Sequence, residues 1–118
     1  MKCTFCQNQM DIEGFECHHC GVRCKGNFAL PRLAKLPGDM QQLAEQVLLA
    51  AGNLKEVSGL QDVSYPTLRK RVDALIAAIE ELRRQDEQEI TNLLGEVENG
   101  KIRPEYAARR ISELHRGS

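Results

Sequence analysis

Two pairs of cysteines, Cys3-Thr4-Phe5-Cys6 and Cys17-His18-His19-Cys20, are the residues of this chain best suited to chemistry. Each C-x-x-C turn sets two sulfurs on one side of a tight loop, and two such turns facing each other complete a sulfur tetrahedron with Zn–S distances of about 2.3 Å. The stretch from Gln7 to Glu16 leaves room only for a hairpin-like connection, so both pairs can reach one ion. Four thiolates close the coordination shell and leave no position for a substrate, which makes the expected site structural rather than catalytic. The competing use of these cysteines, two disulfides, needs an oxidising compartment, and Met1-Lys2 runs into Cys3 with nothing resembling a secretory signal. The expectation is one structural zinc ion per chain, held by Cys3, Cys6, Cys17 and Cys20. His18 and His19 could ligate, but the cysteines that flank them have the better geometry, and both read as exposed knuckle residues. Cys24 is the odd cysteine. It could replace Cys20 as a ligand, although a small buried thiol behind the knuckle is the commoner fate of such a residue.

The elements that must position these residues follow from composition. The first third of the 118 residues holds the cysteines and Phe5, Phe15 and Phe28, whereas the rest is rich in Leu, Ala, Glu, Arg and Gln without β-branched alternation. The expected fold is mostly α with a small N-terminal β zinc ribbon, a trihelical helix-turn-helix core and a C-terminal helical hairpin. In residue ranges this is a ribbon over 1–30, a locally packed linker over 31–38, a helix-turn-helix domain over 39–85 and the hairpin over 86–118. A ribbon of about thirty residues buries too little apolar surface to hold itself together, so the metal must supply much of its folding free energy. Asp39 reads as the N-cap of a first helix with Leu43, Val47, Leu48 and Ala51 on its apolar stripe, ending at Gly52. Asn53 caps a short second helix through Leu54, Val57 and Leu60. Ser64 caps a third, with Pro66 tolerated in its first turn and Leu68, Val72, Leu75, Ile79 and Leu82 as its buried face.

Helices that run long, short and long with a tight break before the third make a helix-turn-helix. The stretches Gly52-Asn53-Leu54-Lys55-Glu56-Val57 and Ser64-Tyr65-Pro66-Thr67-Leu68-Arg69-Lys70-Arg71-Val72 resemble the trihelical DNA-binding unit of sigma-factor region four. With the cysteine pairs, Gly26 and Phe28, residues 1 to about 82 are similar to a family of small bacterial proteins grouped as a domain of unknown function. That resemblance implies a fold and a regulatory class but no target. The chain departs from the pattern at Thr4 and Gln7, where zinc knuckles often carry Pro and Gly, and at Gly59, where Ala is more usual in the second helix. Gly59 costs that helix up to about 1 kcal/mol unless close helix packing there requires a residue without a side chain.

If the third helix enters a groove, Ser64, Tyr65, Thr67, Arg69, Lys70 and Arg71 are the candidate DNA-binding residues, with the basic triplet suited to phosphate and Arg to guanine. Asp73, Asp62 and Glu56 oppose this, and three consecutive charges are often a solvated face. A net charge of −1 excludes a strongly basic arm that wraps nucleic acid without sequence preference, but not a local basic patch. From Asp86, Ile90, Leu93, Leu94 and Val97 predict a further helix that stops at Asn99-Gly100, and Pro104 opens a last one with Tyr106, Ala107, Ile111 and Leu114 on one side. This hairpin resembles the short C-terminal oligomerisation modules of many bacterial proteins, which implies a homo-oligomer. Packing back onto the trihelical core is the alternative use of the same surface. There is no Gly-rich phosphate loop and no nucleophile–base pair, and the histidines are dispersed, so neither catalysis nor a small-molecule substrate is expected. No apolar run is long enough to span a bilayer, and a cytoplasmic location is expected. Two functions remain: a DNA-binding transcriptional regulator, and an adaptor that binds transcription machinery or another regulator through the same helices. The fold is common to both.

Overall fold

The computed structural model describes residues 1–116. The chain divides into two compact units, one of residues 32–89 and one that takes in residues 1–31 and 90–118. No helix among the described residues is long and apolar enough to cross a membrane.

The unit of residues 32–89 starts with a single 3-10 turn, Arg32–Lys35, then α1 (Gly38–Leu49) and α2 (Leu54–Gln61), and continues into α3 (Tyr65–Glu98). Val57 and Leu68 are fully buried at its centre, with Leu36, Leu43, Ala50, Val72 and Leu75 around them and Val47, Leu54, Val63, Ile79 and Leu82 packed at the margin. The 3.6-residue period set on the third helix therefore delivers its face to the core as expected. The linker packs locally too, since Leu36 is part of the core. Asn53 caps α2 by accepting a hydrogen bond from the Glu56 N–H at 3.3 Å, and Ser64 Oγ accepts one from the Thr67 N–H at 3.3 Å.

Several expectations are corrected here. Asp39 lies in the first turn of α1 and Pro37 occupies the cap position without a side-chain hydrogen bond. Leu48 and Leu60 are exposed, and at the end of α1 it is Ala50, not Ala51, that is buried in the core. An added Cβ at Gly59 meets nothing within 4 Å, so close packing does not explain that glycine. The helices expected on either side of Asp86 are one helix of 34 residues. Arg83, Arg84 and Gln85, which bridge them, are good helix formers with no Pro or Gly to break the run. Asp86, expected to open a new helix, is instead buried: Arg32 donates to its Oδ2 from Nη2 at 2.9 Å and from Nε at 3.1 Å, with Lys35 Nζ at 3.9 Å from Oδ1.

The C-terminal end of α3 and α4 (Pro104–Arg116) form the hairpin, closed by Gly100 at φ 70° and by a hydrogen bond from the Lys101 N–H to Glu96 O at 2.9 Å. Leu93, Ala107 and Leu114 are buried in its seam, with Ile90, Val97, Ile102 and Ile111 beside them. Leu94 and Tyr106, placed on the apolar stripes by their spacing, stay about half exposed outside the seam.

The N-terminal ribbon is an antiparallel pair, β1 (Ile12–Glu16) and β2 (Arg23–Phe28), in register Phe15↔Cys24 and Glu16↔Arg23, with an irregularity between Ile12 and Gly14. A Cβ at Gly14 would stand 3.0 Å from Cys24 O, which explains the glycine in the strand. Phe15 and Phe28 meet edge-to-face with centroids 4.7 Å apart. None of residues 1–30 is buried, and Cys24, expected as a buried thiol, is exposed.

Candidate nucleic-acid interface and metal site

The turn between α2 and α3 fixes the candidate interface. Asp62 ends α2 in the left-handed conformation (φ 53°, ψ 47°), and the Val63 N–H returns to Ser58 O at 3.1 Å, which satisfies a terminal carbonyl and turns the chain sharply. Val63 is half-buried against the core, and Ser64 then caps α3 while its hydroxyl donates to Thr67 Oγ1 at 2.9 Å. Tyr65, Thr67, Arg69, Lys70 and Arg71 are all exposed, on the helix that Leu68, Val72 and Leu75 lock in place.

These cations do not share one face. Residues two apart on a helix differ by about 200° around its axis. Arg69 is paired by Nε with Asp73 Oδ1 at 3.2 Å, both side chains more than half exposed. Arg71 lies on the other flank and lines a groove of about 600 Å³ together with Asp39, Gln42, Gln46, Leu60 and Gln61. There it donates from Nη1 to Gln61 Oε1 at 2.8 Å, and Gln61 donates from Nε2 to Gln46 Oε1 at 2.7 Å. Gln46 and Gln61 were not among the expected site residues. Neither carries a charge or an apolar signal, and only the packing of α1 against α2 brings them together.

The cysteine turns are built to one pattern. In the first, the Cys3 N–H donates to Asn8 O at 2.8 Å and the Gln7 N–H to Cys3 O at 2.9 Å; in the second, the Cys17 N–H donates to Val22 O at 2.8 Å and the Gly21 N–H to Cys17 O at 2.8 Å. The residue after each pair, Gln7 or Gly21, has positive φ, 64° and 77°. Each turn sits at the tip of a β arm, the first closed by the Lys2↔Gln9 bridge and the second by β1 and β2. The Cys6 and Phe5 N–H groups and the Cys6 thiol hold the Cys3 thiol below its ordinary value, and the Cys20 and His19 N–H groups and the Cys20 thiol do the same for Cys17. Each turn thus brings two sulfurs together and eases ionisation of its first thiol, towards the thiolate that a metal binds. The two turns are not assembled into one cluster: among the described residues no three His, Cys, Asp or Glu side chains are grouped so as to share an ion. The donor chemistry fits zinc pair by pair, and a four-sulfur shell requires the turns to draw together.

Residues 36–81 match a family model described as a domain of unknown function (DUF2089) of helix-turn-helix type. The match starts at Leu36, the first core residue, and ends within α3 just short of Leu82, so it covers α1, α2 and the first half of α3. No curated protein and no solved structure matches the chain.

Proposed function

We propose that this chain is a DNA-binding transcriptional regulator that works by binding rather than catalysis, in the cytoplasm, on double-stranded DNA. The observation that carries this reading is the start of α3: a Ser64-capped, positively polarised helix end with exposed Tyr65, Thr67, Arg69, Lys70 and Arg71, braced from behind by α2. In this reading Tyr65, Thr67, Arg69 and Lys70 approach base edges and phosphates, and Ser64 and Arg71 contact phosphate at the flanks. A mobility-shift titration of the intact protein with duplex DNA, repeated as salt is raised, tests it. Phosphate neutralisation predicts a steep linear loss of log affinity with log salt.

The ribbon in this reading holds one structural zinc ion through Cys3, Cys6, Cys17 and Cys20. Two matched thiol turns support it, as does a ribbon without a single buried residue, which needs a cross-link to persist. The chain acts as a homo-oligomer through the hairpin, supported by Leu94 and Tyr106, the large apolar side chains that its seam leaves outside. A second reading, an adaptor for another protein, is favoured by one observation. Leu48 and Leu49 are 77% and 80% exposed and border an apolar groove with Leu33, Ala34, Leu36 and Ala44. Binding of a protein partner there would show a shallow salt dependence.

A further inference from the structure

The three cations at the start of α3 are held in three ways. Arg69 is already paired with a carboxylate, Asp73. Lys70, between the two arginines, is exposed. Arg71 alone is held by a neutral acceptor, the Gln61 amide, which is itself held by Gln46, so a strut runs from α3 across the end of α2 to α1. An amide acceptor orders the guanidinium without cancelling its charge. A guanidinium also carries five N–H donors, of which Gln61 takes one, and the other four are uncommitted among the described residues. The side chain lies at the flank of α3 beside α2, away from the outward face that reaches base edges in a helix-turn-helix. Full charge, pre-set orientation and spare parallel donors at a flank are what a phosphate contact uses.

We infer that Gln61, braced by Gln46, is a positioning residue that presents Arg71 to a DNA phosphate and so fixes where the duplex lies against α2 and α3. This rests on the DNA-binding reading above. Ordering one long side chain before binding is worth about three- to tenfold in affinity.

The test uses the intact protein and a mixed-sequence duplex at low salt, with thermal melting recorded for every variant. Gln61→Ala and Gln46→Ala are expected to weaken binding about three- to tenfold with no change in the salt slope, because no charge is removed. Gln61→Glu is expected to capture Arg71 as an ion pair, weaken binding further and flatten the slope by about 0.9. Arg71→Ala should flatten the slope equally, and adding Gln61→Ala to it should cost nothing more, since Gln61 acts through Arg71. Melting should stay near that of the parent throughout, which a merely structural role for Gln61 would not allow. A parent that binds with a clear salt slope while Gln61→Ala binds equally well, or losses that add in the double variant, overturns this inference and leaves the DNA reading standing. A parent that does not bind DNA at low salt overturns both.

Discussion

Replacing Asp86 with Ala should destabilise the helical unit of residues 32–89 by about 3 kcal/mol, far more than a surface acid on a helix would. The carboxylate accepts two hydrogen bonds from Arg32, at 2.9 and 3.1 Å, and faces Lys35 at 3.9 Å, with the Arg32 and Asp86 side chains only 12% and 11% exposed. Removing one partner of a buried pair costs about 3–5 kcal/mol, because the remaining charge loses the carboxylate that offsets its desolvation. The residual exposure at both ends places this pair at the lower end of that range, since water reaches the guanidinium in part. For a unit of this size a loss of about 3 kcal/mol lowers the melting temperature by on the order of 10–20 °C. Urea unfolding followed by far-UV circular dichroism measures the change directly. The double variant Arg32→Met with Asp86→Leu should recover most of the loss, because an apolar pair of similar volume replaces a buried ion pair at little cost. The loss should also persist at high salt, since buried pairs are poorly screened. A loss below about 1 kcal/mol, or one that disappears in salt, would mean that the pair behaves as a surface ion pair and that the 3-10 turn is not anchored through it.

Gln7 holds a left-handed backbone conformation that Gly21 holds at the matching place, so Gln7→Gly should stabilise the zinc-loaded ribbon by about 1 kcal/mol, read as slower loss of metal to a chelator. Metal analysis of reduced protein should find one zinc per chain, unaffected by Cys24→Ser and lost with Cys17→Ser, and affinity should fall as pH drops because protons compete for the thiolates. Gly59→Ala should raise stability by about 0.5–1 kcal/mol, since the added Cβ meets open space in a helix interior. Leu94→Asp should dissociate the proposed homo-oligomer by light scattering and leave the hairpin folded, whereas Leu93→Asp, on the buried seam, should unfold the hairpin itself.

How far the sequence carries the fold depends on the kind of signal. Capping was legible at Asn53 and Ser64, where a side-chain oxygen meets a free N–H three residues on. It misled at Asp39, where Pro37 already starts the helix. Periodicity located Leu68, Val72 and Leu75 because α3 packs along a single face. It overreached at Leu48, Leu60, Leu94 and Tyr106, because a stripe wider than its neighbour can cover leaves its edge in solvent. The Arg32–Asp86 pair spans 54 positions and the Gln46–Gln61–Arg71 strut joins three helices, and neither has any local signature. At the candidate sites, the cysteine spacing foretold two matched turns, but the relation between the turns is not contained in the spacing.

Affinity of the intact protein for duplex DNA as a function of salt, compared with the Arg69→Ala, Arg71→Ala double variant, tests the DNA-binding reading most directly. With three cations at the start of α3 in contact with phosphates, the log–log slope for the parent should be about −2.7. The double variant should lose about two of those units, with helix content and zinc stoichiometry unchanged. Absence of binding by the parent at low salt, or a double variant that binds as tightly and with the same slope, would contradict a groove-reading role for α3.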